Sequence, residues 1–151
     1  EKIEIGTGRK LTEGKDVALL SIGKAGIFAK RAVKSLENKD ISAAHFDMRF
    51  VKPIDKKLLT EVFENFKIIV TIEDGVIQGG FGSAVLEFMA ENNFSATVKL
   101  LGIPDKFIEH GSPEDLYKEC GIDVKGITNS VMELIEKAES LTLLNKVTSE
   151  L

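Results

Sequence analysis

Along the chain the spacing of apolar residues switches repeatedly between strand-like and helix-like periods. Val17 to Ile22 is a nearly continuous apolar run bounded by turn residues, the pattern of a strand covered on both faces. From Ala25 the spacing becomes helical, with Phe28, Ala29, Ala32, Val33 and Leu36 on one stripe and Lys30, Arg31, Lys34 and Glu37 opposite. In Ala44 to Phe50 the apolar Phe46, Met48 and Phe50 alternate with His45, Asp47 and Arg49, as on a strand with one covered face. After Lys52-Pro53, Asp55 is placed to cap a helix whose stripe is Leu58, Leu59, Val62, Phe63 and Phe66. Ile68 to Ile72, rich in β-branched residues, predicts a third strand.

The next crossover starts at Gly79, Gly80 and Gly82, and its helix buries Phe81, Ala84, Val85, Phe88 and Met89 before a fourth strand at Val98 to Leu101. Strands alternating with crossovers of this length predict a parallel sheet between two helical layers, with right-handed connections. Ser112, with Pro113 next and Asp115 three residues on, has the form of a capping box, and Gly121 stops the short helix that follows. A last helix starts near Asp123 and carries Ile127, Val131, Leu134, Ile135 and Ala138 on one stripe. The opening segment, Ile3 to Leu11, reads as an extra strand at the sheet edge. The expected fold is thus α/β, a three-layer sandwich whose mostly parallel sheet of about five strands has one antiparallel edge strand. It occupies residues 1–141, and residues 142–151, where the periodicity is lost, are expected to form a frayed tail.

Composition narrows the class without naming a function. A chain of 151 residues, 43% hydrophobic and 29% charged, has the makeup of one soluble globular domain, and no apolar run nears the roughly 20 residues that span a bilayer. The net charge of -4, with Lys and Arg dispersed, leaves no basic face for a phosphate backbone, so neither nucleic acid nor membrane is an expected partner. A single cysteine, Cys120, excludes an internal disulfide and, with no signal-peptide pattern, favours a reducing cytoplasm. Glu1 in place of a starting Met fits a piece of something longer.

Candidate chemistry is sparse. Gln78 to Ser83 is a glycine-rich turn from strand to helix, where N–H groups could receive a phosphate. It lacks the spacing of a dinucleotide fingerprint or a phosphate loop, and Gly79, Gly80 and Gly82 also suit a tight, closely packed turn. Gly23 to Gly26 is a weaker version of the same feature. His45, Asp47 and Arg49 share one strand face, as a solvated or interdomain polar surface or as a small active site. His110 precedes the capped helix in a loop suited to a ligand or a neighbouring domain. Two histidines and one cysteine far apart make no metal signature, and there is no Gly-x-Ser-x-Gly turn for a nucleophile. Cys120, next to a helix C-terminus whose dipole disfavours a thiolate, reads as a core residue.

Three blocks carry a resemblance. Asp47-Met48-Arg49-Phe50-Val51-Lys52-Pro53-Ile54-Asp55 resembles a stretch in the third, C-terminal domain of the 1-deoxy-D-xylulose-5-phosphate synthases. The run from Val70 to Asp74 leading into Gly79 to Val85, and the run from Gly102 to Gly111, agree in order and spacing. More loosely, the pattern is similar to C-terminal domains of transketolases and of 2-oxo acid dehydrogenase β subunits. The resemblance spans about Ile3 to Ala138. It implies a parent transferase that condenses pyruvate with glyceraldehyde 3-phosphate, with loss of carbon dioxide, using thiamine diphosphate and Mg2+ in isoprenoid, thiamine and pyridoxal biosynthesis.

The cofactor chemistry implied by the resemblance belongs to upstream domains, and the family's activating glutamate and phosphate-gripping arginine lie there too. Glu73-Asp74-Gly75 followed by Asn92-Asn93 imitates the family's metal and diphosphate motif, but its first glycine is replaced and its interval is too short. No catalytic, cofactor-binding or metal residue is therefore expected in this chain. Its expected partners are the upstream domains of the same enzyme and the second subunit of a homodimer, with Arg49, Lys52, Glu73 and His110 as candidate contact residues. The competing readings are a freestanding phosphate-binding module using Gly79 to Ser83, and a complete small enzyme around His45 and Asp47.

Overall fold

The computed structural model describes residues 2–149, with side chains to residue 144. Five strands, β1 (Arg9–Thr12), β2 (Val17–Ser21), β3 (Ala43–Asp47), β4 (Ile68–Val76) and β5 (Thr97–Ile103), form one sheet in the order β1-β3-β2-β4-β5. β3, β2, β4 and β5 are parallel, and β1 pairs antiparallel with β3 at the edge. Five helices complete the fold: α1 (Gly26–Glu37), α2 (Lys56–Asn65), α3 (Phe81–Glu91), α4 (Pro113–Glu119) and α5 (Val124–Ser149). This is the three-layer α/β sandwich that the alternating periods predict.

The two faces of the sheet bury separate cores. On one face Val17, Leu19, Val70 and Ile72 pack under α1 through Ala29, Ala32 and Leu36, and under α5 through Ile127 and Val131. On the other, Ala18, Leu20, Phe46 and Ile69 meet α2 through Leu59, Val62 and Phe63, and α3 through Phe81, Val85 and Phe88. Leu20 and Leu19 therefore point to opposite layers, which is why β2 shows no polar alternation.

The helix starts follow their capping residues. The Asp55 carboxylate accepts from Leu58 N at 2.9 Å and also from Gly8 N at 2.8 Å, tying the segment before β1 to the start of α2. Ser112 accepts from Asp115 N at 3.2 Å with Pro113 in the first helical position, and Gly121 follows α4 with φ +69.

Three expectations are modified. The extra strand is shorter than Ile3 to Leu11: β1 begins at Arg9, because Gly6 and Gly8 lie against Pro53, Leu58 and Met48 and leave no ladder partner. The strand expected over Ala44 to Phe50, β3, ends at Asp47, since Arg49 has φ 57, outside the extended region. Helix α5 continues through Ser149 where the loss of periodicity predicted a frayed tail; Leu141 and Leu143 are exposed on it, which is what breaks the buried stripe. Residues 150 and 151 lie outside the described residues.

Candidate functional site

β2 leads through α1 to β3 on one side, while β4 lies on the other, so crossovers leave β2 and β4 in opposite directions. In open parallel sheets such a switch point opens a crevice at the carboxyl ends of the strands, and ligands favour it. Here a cleft of about 320 Å3 lies there, lined by Gly23, Lys24, Val51, Glu73, Asp74 and Phe81. All three motif blocks of the sequence converge on this end of the sheet.

The cleft is chemically self-contained. Glu73, 5% exposed at the end of β4, accepts from Phe81 N at 2.8 Å and Gly82 N at 2.9 Å. Its carboxylate thus sits where a phosphate would sit, on the first N–H groups of α3. Gly79 N donates to Ser83 Oγ at 3.0 Å, and Ser83 Oγ donates to Ile77 O at 3.0 Å. The donors of the glycine turn are therefore taken, and the freestanding phosphate-binding reading is corrected: the chain supplies its own anion. Glu73, expected at a domain contact, holds this turn within the domain.

The glycines are shaped by this arrangement. Gly79 has φ +72, and a side chain at Gly80 would run into the Glu73 carboxylate and Val76 O. A Cβ at Gly82 would come within 2.7 Å of Thr71 Oγ1 and 2.8 Å of Leu100 Cδ2. Gly82→Ala is accordingly expected to cost about 2 kcal/mol by overpacking, and Gly82→Val more, read as a lower urea midpoint at unchanged slope. A midpoint equal to the parent's would mean that α3 can move off β4 freely.

Next to Glu73, Asp74 accepts from Tyr117 O–H at 2.8 Å, and Lys24 Nζ lies 5.5 Å from the Tyr117 ring centroid. The hydrogen bond to Asp74, with some burial, pushes the Tyr117 phenol up from its ordinary range. These charges compensate one another and present no activated acid, base or nucleophile. Asn92, the other half of the imitated cofactor motif, closes the opposite end of α3, where Nδ2 donates to Phe88 O at 2.8 Å. An α-helix of 11 residues spans about 16 Å, so Asp74 and Asn92 cannot hold one ion together. Among the described residues no group of three His, Cys, Asp or Glu side chains is placed to hold a metal. The residues present do not fit thiamine diphosphate and its cation.

The other sequence candidates separate. His45 is fully buried on β3 under α1, and its Nε2 lies 2.8 Å from Ser21 Oγ, while Nδ1 has no partner. Burial pushes its pKa down to about 4, with Lys30 adding to the shift and Asp47 opposing it. A small enzyme built around His45 is excluded by this burial, since no substrate reaches the ring beneath α1, whereas Asp47 and Arg49 farther along remain partly exposed. Asp47 pairs with Arg9 at 3.0 Å and with Arg49 at 3.8 Å. Lys52 is exposed before a cis peptide bond to Pro53, and His110 is exposed in the loop after β5. Cys120 packs at the edge of the first core, and burial, with Glu119 nearby, pushes its thiol up. The Ser21–His45 contact escaped the sequence reading; a serine ending an otherwise apolar strand was its available signal.

A groove of about 980 Å3 lies at the other end of the sheet, between the later turns of α5 and Lys15, Asp40, Ile41 and Ile68, away from the motif blocks. No helix of the described residues is long and apolar enough to cross a membrane.

Comparison with known proteins agrees with this geometry. The chain is 55% identical over 134 residues to the 1-deoxy-D-xylulose-5-phosphate synthase of Cytophaga hutchinsonii, covering 89% of this chain and 21% of that protein. It is 50% identical over 148 residues to the synthase of the same name from Bacteroides thetaiotaomicron, covering 97% of this chain and 22% of that protein. The chain thus spans about a fifth of the length of these curated relatives. Among solved structures it is similar to a split-gene transketolase described as an inactive β4 tetramer, with TM-score 0.82 and 34% identity over 88% of this chain and 43% of that one. The transketolase of Campylobacter jejuni shares the fold, with TM-score 0.61 at 18% identity over 85% of this chain and 18% of that one. Residues 6–127 match the family described as transketolase, C-terminal domain, and with its switch-point sheet and α3 turn inside that span, the chain belongs to this family.

Proposed function

We propose that this chain serves as the C-terminal domain of a 1-deoxy-D-xylulose-5-phosphate synthase, where it packs against the preceding domains and helps hold a homodimer in the cytoplasm. The observation that carries this reading is the 55% identity over 134 residues to a synthase of that name, against 34% to the split-gene transketolase. The parent reaction is then the thiamine-diphosphate- and Mg2+-dependent condensation of pyruvate with glyceraldehyde 3-phosphate. No step of it is assigned to residues of this chain. The self-satisfied cleft supports an architectural role, because its carboxylates and turn donors are engaged within the domain. Arg49, Lys52 and His110, which reach the surface at the carboxyl end of the sheet, are the polar side chains we assign to contacts with the neighbouring domains.

Thiamine diphosphate needs an anchored diphosphate, a carboxylate partner for its pyrimidine and a water-poor cleft. Isothermal titration of the 151-residue chain with thiamine diphosphate and Mg2+ is therefore expected to give no saturable heat, and a pyruvate-dependent carbon dioxide assay to stay at background. Activity is expected when the chain replaces the matching part of a full-length relative. Turnover by the chain alone, abolished by Asp74→Asn or His110→Ala, would overturn the reading.

A further inference from the structure

Resting on that reading, the geometry points to the carboxyl end of the sheet as the face that docks the preceding domain of the same polypeptide, with exposed apolar side chains as the anchors beside the polar motif residues. Five large apolar side chains are exposed around this end. Val76 ends β4 opposite Ile103, Ile27 opens α1 just after β2, and Phe107 projects from the loop after β5 with 95% of its surface exposed. Ile3 and Ile5 belong to the segment before β1, which runs past Pro53 and Asp55 in the loop after β3 and so lies at the same end. Leu141, Leu143 and Leu144, by contrast, are exposed on the later turns of α5.

A concentration of exposed apolar groups on one end of a domain marks a surface that another protein surface covers. Beside Phe107, an apolar cavity of about 260 Å3 opens between Ile103, Ile108, Leu116 and Tyr117, large enough for a side chain of the partner. This combination of a projecting aromatic and a receiving apolar pocket is how interface anchors are built. Two observations select the occupant. The relatives carry about four fifths of their length outside the span matched here, and the family is named for a C-terminal position, so that length precedes this domain. The segment before β1 enters the fold at this same end, which delivers the preceding domain to it.

The test is a full-length chain: the synthase of Bacteroides thetaiotaomicron with its matching 148 residues replaced by those of this protein, carrying Phe107→Asp, Ile27→Asp or, as the control at the other end of the fold, Leu143→Asp. Limited proteolysis is expected to release the grafted domain at least tenfold faster from the Phe107 and Ile27 variants than from the unsubstituted graft, with the Leu143 variant released at the unsubstituted rate. The same substitutions in the isolated chain should leave its melting temperature unchanged, which separates lost docking from lost folding. Equal release from the Phe107 and unsubstituted grafts, with both active, overturns the docking face and leaves the proposed function standing. An unsubstituted graft that is folded but inactive overturns the proposed function itself. A concentration-dependent dimer of the isolated chain, dissociated by Phe107→Asp, would show that a second copy covers the patch and would overturn the choice of occupant.

Discussion

Glu73→Ala is expected to destabilise the chain by about 4 kcal/mol, because two buried N–H groups lose a charged acceptor. The carboxylate is 5% exposed and receives Phe81 N and Gly82 N at 2.8 and 2.9 Å. Its seat is walled by Gly75, Gly80 and Gly102, where any added Cβ would press on the Glu73 side chain, so little room exists for a substitute. Glu73→Gln keeps one acceptor oxygen but turns a donor toward an N–H group, and about half the loss is expected. For a domain of this size a 4 kcal/mol loss lowers the melting temperature by roughly 10 °C. Calorimetry of the two variants beside the parent chain checks the order Ala below Gln below Glu. Equal melting temperatures for all three would mean that the α3 N-terminus does not depend on this carboxylate.

Acidification acts through His45. The ring is neutral in the folded chain down to a pKa of about 4, whereas in the unfolded chain it titrates near 6.5. Above pH 6.5 both states hold it neutral and it adds no pH dependence. Below that, the unfolded chain takes up a proton that the folded chain declines, so stability falls as the pH drops until the folded ring is itself protonated near pH 4. Across this window the loss is on the order of 3 kcal/mol from this group alone. The cause is chiefly burial, since a charged ring would leave Nδ1–H facing no acceptor. Lys30 on α1 works in the same direction and Asp47 against it. Urea melts at pH 8, 7, 6, 5 and 4.5 on the parent chain and on His45→Asn should show the parent losing stability faster below about pH 6.5, with the curves parallel between about pH 7 and 8. Parallel curves down to pH 4.5 would place the His45 proton uptake outside this range.

The alternation of strand and helix was legible because each buried strand is short and apolar and each helix shows one stripe; Val17 to Ser21 and Ala29, Ala32 and Leu36 sit where period alone puts them. Caps were legible for a local reason: Asp55 and Ser112 bond to N–H groups three residues away. What sequence could not supply was lateral context. His45 and Asp47 alternate with apolar residues as surface groups do, yet α1 buries His45, and Ser21 and Arg9 reach the two side chains from other elements. Glu73 likewise resembled a surface motif residue, although its acceptors' partners lie eight and nine residues ahead, across a turn. The length of α5 was hidden by Leu141 and Leu143, apolar residues that belong to no buried stripe.

The position of β2 bears on how the chain is made. Within this sheet Val17 to Ser21 is the first parallel strand to be synthesised, yet both of its neighbours, β3 and β4, are encoded later, the farther ending the pairing at Ile72. A fully buried central strand must therefore wait for roughly fifty more residues, several seconds of synthesis at the usual pace, before both its edges are satisfied. During that interval its open edges can pair with any other nascent strand. Slowed elongation between Ser42 and Ile72 should lengthen the exposure and raise the fraction of newly made protein that aggregates, whereas slowing after Leu101 should not.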